Sequence, residues 1–218
     1  MPQKTFRAAA ITSTFLLGLA AVRLAGAAAS LEARLADLLV PESEVTLPAA
    51  PPLSVEEYET REVYSEVVRE MFGGRNAEAQ VVIAPETLTV YVCGEGVRTR
   101  MDWAEDETLR DYDWKKGRAE RISTLPRVAA TQFFIERGEF ADTFYAPDSG
   151  GWPLFYERYP RSAGYVDLSR VGFNKTYDEA FLYASRSCGY LCAEGWHVLL
   201  REGPGGWRII KKELMWVA

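Results

Sequence analysis

The chain has 218 residues and a formal net charge of −6, with 25 Lys and Arg against 31 Asp and Glu. Hydrophobic residues make up 48%, enough for a core and too many for a disordered chain. The acidic balance excludes non-specific nucleic-acid binding, which depends on Lys and Arg neutralising phosphates, and a polybasic membrane-surface role.

Lys4 and Arg7 precede an apolar run over 8–22, which leads into Ala25-Gly26-Ala27-Ala28-Ala29. A basic start, a short apolar middle and an Ala-x-Ala end predict a secretory signal peptide over 1–29, cleaved after Ala27 or Ala29. The run is shorter than the roughly 20 residues of a spanning helix. Arg23, between the apolar core and the cleavage site, opposes cleavage; if retained, the segment is an N-terminal membrane anchor. Membrane association is expected only in that case. Removing 1–29 leaves 22 bases against 31 acids, a net charge of −9. The expected location is periplasmic or secreted, where disulfides persist.

Residues 30–53 read as a linker, with Pro41, Pro48, Pro51 and Pro52 removing backbone donors and disfavouring helix. Leu31, Leu35, Leu38 and Leu39 sit at helical spacing within it, as a short helix or a loose mature N-terminus. A single folded domain is predicted over 54–218. Ser54-Val55-Glu56-Glu57 is a capping box. Tyr58, Tyr64, Val67, Val68, Met71 and Phe72 recur at helical spacing after it, and Gly73-Gly74 supplies a stop, so a helix is predicted over 55–72.

Residues 80–83 and 88–93 read as strands around Pro85. A polar helix follows over 105–116, then an extended segment over 128–135 and short helices over 136–144 and 152–159. Strands are predicted over 165–173, 179–187, 196–202 and 207–217. Their short connections imply an antiparallel meander, since parallel neighbours need long crossovers. A helix and a sheet that each bury one face pack together. The predicted class is α+β, a helix packed on a curved antiparallel β-meander sheet with helices mostly on one side.

The segments Leu168-Ser169-Arg170-Val171-Gly172-Phe173-Asn174, Cys188-Gly189-Tyr190-Leu191-Cys192-Ala193-Glu194-Gly195 and Gly206-Trp207-Arg208 together resemble the C-terminal meander of uncharacterised bacterial secreted or envelope proteins. The resemblance covers about 50 residues and brings no known activity. The helix-then-meander order is similar to cystatin-like and NTF2-like α+β folds, an analogy of architecture alone.

Cys188 and Cys192 flank a hairpin tip, so a structural disulfide is expected there, in preference to a redox pair with Cys-x-x-Cys spacing. Cys93 is then a buried free thiol, although pairing with either of the others stays open. Cys93, Cys188, Cys192 and His197 also form a loose zinc-type set, outweighed by disulfide formation in an oxidising compartment. No metal or cofactor is expected.

His197 is the single histidine, which restricts any Ser-His or Cys-His dyad to one base. Alternation places it with Leu199 and Arg201 on one strand face, and Trp196, Val198 and Leu200 on the other; a partly exposed structural role is expected for it. Asp167 and Glu179, on successive strands, are the carboxylate pair that could face each other for acid–base work, as in glycosidases, but solvated strand faces are the expected role for both. Trp196, Trp207 and Trp216 are expected to pack in the core.

The preferred reading is a non-catalytic exported envelope module that binds an envelope protein or a small ligand. Its contact surface is a sheet face or the groove between helix and sheet, with Asp167, Arg170, Glu179 and His197 as candidate groove residues. The alternative is an enzyme, either a hydrolase using carboxylates or a thiol redox protein using Cys188 and Cys192. Convergence of those four residues on one cavity favours the enzyme. Packing of the helix–sheet interface by side chains favours the binding module.

Overall fold

The computed structural model describes residues 53–89, 101–145 and 150–218, all within the compact unit Pro52–Ala218. The predicted signal segment, the linker up to residue 52, residues 90–93 with Cys93, and part of the turn at 148–151 lie outside them. The elements in chain order are α1 (Val55–Met71), β1 (Gln80–Ile83), α2 (Asp106–Lys115), β2 (Thr131–Phe134), α3 (Arg137–Tyr145), α4 (Gly151–Arg158), β3 (Ser162–Leu168), β4 (Gly172–Phe173), β5 (Glu179–Gly189), β6 (Cys192–Gly203) and β7 (Gly206–Val217). The class is α+β.

Helix α1 begins as its sequence dictates. The Glu57 N–H donates to Ser54 Oγ at 3.2 Å and the Ser54 N–H donates to Glu57 Oε2 at 2.8 Å, so two end donors are satisfied reciprocally. The helix stops at Gly73, whose φ of +81° lets the Gly74 N–H return to the Val68 carbonyl at 3.1 Å. Val63, Tyr64, Val67, Val68 and Phe72 form its buried stripe. Tyr58 departs from the expected pattern and is half exposed.

The sheet runs β2-β1-β3-β5-β6-β7, with β4 pairing β5 beside that path. From β3 onward it is the antiparallel meander the short turns require. Strand β1 adds a mixed half, pairing parallel to both β2 and β3. The chain between β1 and β2 contains α2, long enough for a crossover.

The strand predicted over 165–173 is divided into β3 and β4, both of which pair with β5. The division falls at Ser169. Its N–H donates to the Tyr183 carbonyl at 2.9 Å, and its Oγ accepts the Tyr183 N–H at 2.8 Å. A side-chain oxygen thus replaces a backbone acceptor, and the chain bulges at Arg170 before rejoining the ladder.

Alternation along the strands builds a core on each face. Val81, Ile83, Val166, Leu168, Ala180, Leu182, Ala184, Val198 and Leu200 pack with α1. On the opposite face Val82 and Tyr165 meet α3 and α4 through Phe140, Trp152 and Phe155. Phe181, Tyr183 and Leu199 lie there too, with Tyr112 of α2. Three of the four described helices therefore share one face.

Helix α2 approaches β4 closely at Gly172. A Cβ at that position would lie 2.5 Å from the Tyr112 backbone N and 2.6 Å from the Thr108 carbonyl oxygen. Both contacts are backbone, so neither can rotate away. Gly172→Ala is expected to destabilise by about 2 kcal/mol through overpacking. Urea unfolding of the variant measures this; an unchanged midpoint would show that α2 is not seated there.

Candidate binding groove

The four polar residues singled out in the sequence stand apart, each tied into its own contacts. Asp167 pairs across the sheet with Ser185, whereas Glu179 pairs with Arg201, so six positions of β5 separate their rungs. At about 3.3 Å per residue that is nearly 20 Å, too far for paired carboxylate chemistry. The register rules out the facing arrangement, and burial of Glu179, 1% exposed, corrects the expectation of a solvated strand face for it.

Asp167 accepts a hydrogen bond from Arg137 Nε at 2.9 Å, and the same guanidinium donates to the Glu86 carbonyl. Burial raises the Asp167 pKa above the usual carboxylate range, and Arg137 opposes that shift. Arg170 donates from Nε to Glu120 at 2.7 Å and lies 3.7 Å from Glu56 of α1.

Glu179 is buried and acts as a remote helix cap. It accepts from the Glu105 N–H at 2.7 Å, from Thr108 Oγ1 at 3.1 Å and from Arg201 Nη2 at 2.9 Å. Glu105 occupies the N-cap of α2 without making a side-chain cap. A carboxylate from β5 thus supplies the acceptor and places negative charge at the positive end of the helix.

His197 falls on the predicted face, with Leu199, but it is only 2% exposed. The partial exposure expected for it is corrected. Its ring lies between Phe181 and Tyr183, at centroid distances of 5.2 and 5.9 Å, on the face α2 covers. Its Nδ1 has no hydrogen-bond partner among the described residues. Burial, followed by the nearby Lys116 charge, pushes the imidazole down to about 4. It is neutral at pH 7.

Cys188 and Cys192 are at bonding distance across the β5–β6 tip, with Cα atoms 5.0 Å apart. Tyr156 Oη donates to the Cys188 carbonyl at 2.9 Å, tying the tip to α4. His197 pairs with Tyr183 further along β6, away from that tip. Among the described residues no three His, Cys, Asp or Glu side chains come together to hold a metal ion. No helix among them is long and apolar enough to cross a membrane.

Side chains fill the interface between α1 and the sheet, but its margin along β7 stays open. A groove of about 570 Å³ lies there. Glu66, Arg69, Glu70 and Arg75 line it from α1 and the residues just beyond it, Arg127 from the segment between α2 and β2, and Gly205, Arg208 and Lys212 from the β7 side. Trp207 and Ile209 form its apolar floor. Trp207 is 4% exposed and donates its indole N–H to Glu59 of α1 at 2.7 Å, which fixes the helix to the strand.

The groove was legible only as a helix–sheet junction. Its cations come from three separate stretches of chain, and no local motif joins them. Trp207 packs as expected and Trp196 is partly buried, whereas Trp216 is 41% exposed with its indole N–H on Tyr183 Oη at 2.8 Å. No family model, curated protein or solved structure matches this chain.

Proposed function

We propose that this protein is a non-catalytic exported binding module whose contact surface is the groove between α1 and β7. One observation carries the reading: the polar residues fit for chemistry are used to hold the fold, while the groove is left open. Asp167, Arg170 and Glu179 are bound by Arg137, Glu120 and the α2 terminus, and His197 is buried against Phe181 and Tyr183. None of them lines the groove. The basic, apolar and Ala-x-Ala start supports export, and the Cys188–Cys192 bridge suits an oxidising compartment. The resemblance of the C-terminal meander to bacterial envelope proteins supports an envelope role.

A thermal-shift screen of small ligands tests this. A ligand at a hundred times its Kd stabilises by about 2.7 kcal/mol, or roughly 5–10 °C for a domain of this size. Shifts seen in the wild type should vanish in Ile209→Trp, which fills the groove, with the fold checked by circular dichroism. Turnover of an ester, phosphate, glycoside or amide substrate that is lost in Asp167→Asn or Glu179→Gln would replace this reading with an enzyme.

A further inference from the structure

The groove reverses the sign of the molecule. Arg69, Arg75, Arg127, Arg208 and Lys212 line it against two carboxylates, Glu66 and Glu70, on a chain whose net charge is −6. Some of these cations are accounted for by the fold. Arg69 lies 3.3 Å from Glu66 in the last turn of α1, where a cation also suits the helix dipole. Arg75 donates from Nε to Glu70 at 2.7 Å. Arg127 pairs with Glu62 at 2.5 Å.

Arg208 and Lys212 are different. Neither has a carboxylate partner among the described residues. Lys212 lies over the Trp196 ring, 5.6 Å from its centroid, which stabilises a cation without neutralising it. Arg208 and Arg127 both approach the turn between β6 and β7. A Cβ at Gly205 would sit 2.9 Å from Arg208 Nη2, and a Cβ at the next residue, Gly206, 2.7 Å from Arg127 Nη1. Two guanidiniums thus lean on adjacent glycines of one turn, and Gly206 needs its positive φ of +88° there. Both guanidiniums are placed at this turn, where an acidic ligand can accept hydrogen bonds from them.

The β7 cations are also spaced. Arg208 pairs with Arg201 and Lys212 with Val198, so three rungs of β6 separate them, about 10 Å along the strand. A single small anion meets one of these ends, whereas a ligand with several acidic groups meets both.

We infer that the groove is an anion site for a small ligand carrying at least two acidic groups, phosphate or carboxylate, held by Arg208 and Lys212 with Arg127. This rests on the reading of the groove as the contact surface. The test is calorimetric titration of the purified protein with tripolyphosphate and, separately, with citrate. The comparison is between wild type, Arg208→Gln/Lys212→Gln, and Arg110→Gln/Lys175→Gln, which removes equal charge from the α2 side.

Binding of either probe should weaken about tenfold in the groove pair and less than about twofold in the remote pair. Raising the salt from about 20 to about 200 mM should weaken it as well. The tighter probe tells phosphate from carboxylate. Equal weakening in both double variants would overturn the inference, since it reports overall charge alone. No heat from either probe would also overturn it, and a neutral ligand lost in Ile209→Trp would leave the groove reading standing. Anion binding untouched by both Arg208→Gln/Lys212→Gln and Ile209→Trp would overturn inference and reading together.

Discussion

Glu179→Ala is expected to lower the stability of the fold by about 3 kcal/mol, with a fall in Tm of roughly 6–12 °C. The carboxylate is 1% exposed and serves three donors. Its removal leaves the Glu105 N–H and the Thr108 hydroxyl facing a cavity and takes the anion from the α2 terminus. Arg201 contributes less, because its side chain is more than half exposed and is rehydrated when the partner goes. Glu179→Gln keeps the shape and an acceptor, so it should cost roughly half as much. Urea unfolding with the tryptophans as reporter measures both variants. A loss under about 1 kcal/mol in Glu179→Ala would show that the cap is not needed and would free this carboxylate for chemistry.

Stability should also fall steeply with acid, because of His197. The imidazole is held at about 4 in the fold and titrates near its ordinary 6.5 in the unfolded chain. Between these values the unfolded chain binds the proton and the fold does not. The contribution is therefore fully present above pH 6.5, is lost as pH falls from 6.5 to 4, and is constant below 4. It amounts to about 3 kcal/mol across that window. Asp167 and Glu66, whose pKa values burial raises, act in the opposite direction. The difference between wild type and His197→Phe isolates the histidine. Relative to His197→Phe, the wild type should lose about 3 kcal/mol of stability between pH 7 and pH 4. Parallel curves would mean that the ring reaches water.

The same residues show what a sequence makes legible. α1 was readable because its signals are local: a capping box, a buried stripe and a glycine stop within 20 residues. The meander was readable because β5, β6 and β7 follow each other through tight turns. The parallel pairing of β1 with β2 was not, because Gln80 and Thr131 are joined only through long chain. Nor was the break at Ser169, where one hydroxyl competes with a ladder bond.

The site divides along the same line. The face of His197 follows from alternation, but its burial depends on packing over that face by chain distant in sequence. Glu179 reads as one carboxylate among many until the α2 terminus is placed beside it. The groove is read from no motif at all, since Arg69, Arg127 and Arg208 meet only in the fold.

The most direct measurement is nuclear magnetic resonance mapping of the labelled protein titrated with tripolyphosphate and with citrate. The account predicts shifts at the Trp207 indole N–H and at the backbone amides of 205–212, with the Trp103 and Trp114 indoles unmoved. Shifts centred on His197, Asp167 or Glu179, with Trp207 unmoved, would contradict it and place the working surface on the opposite face of the sheet.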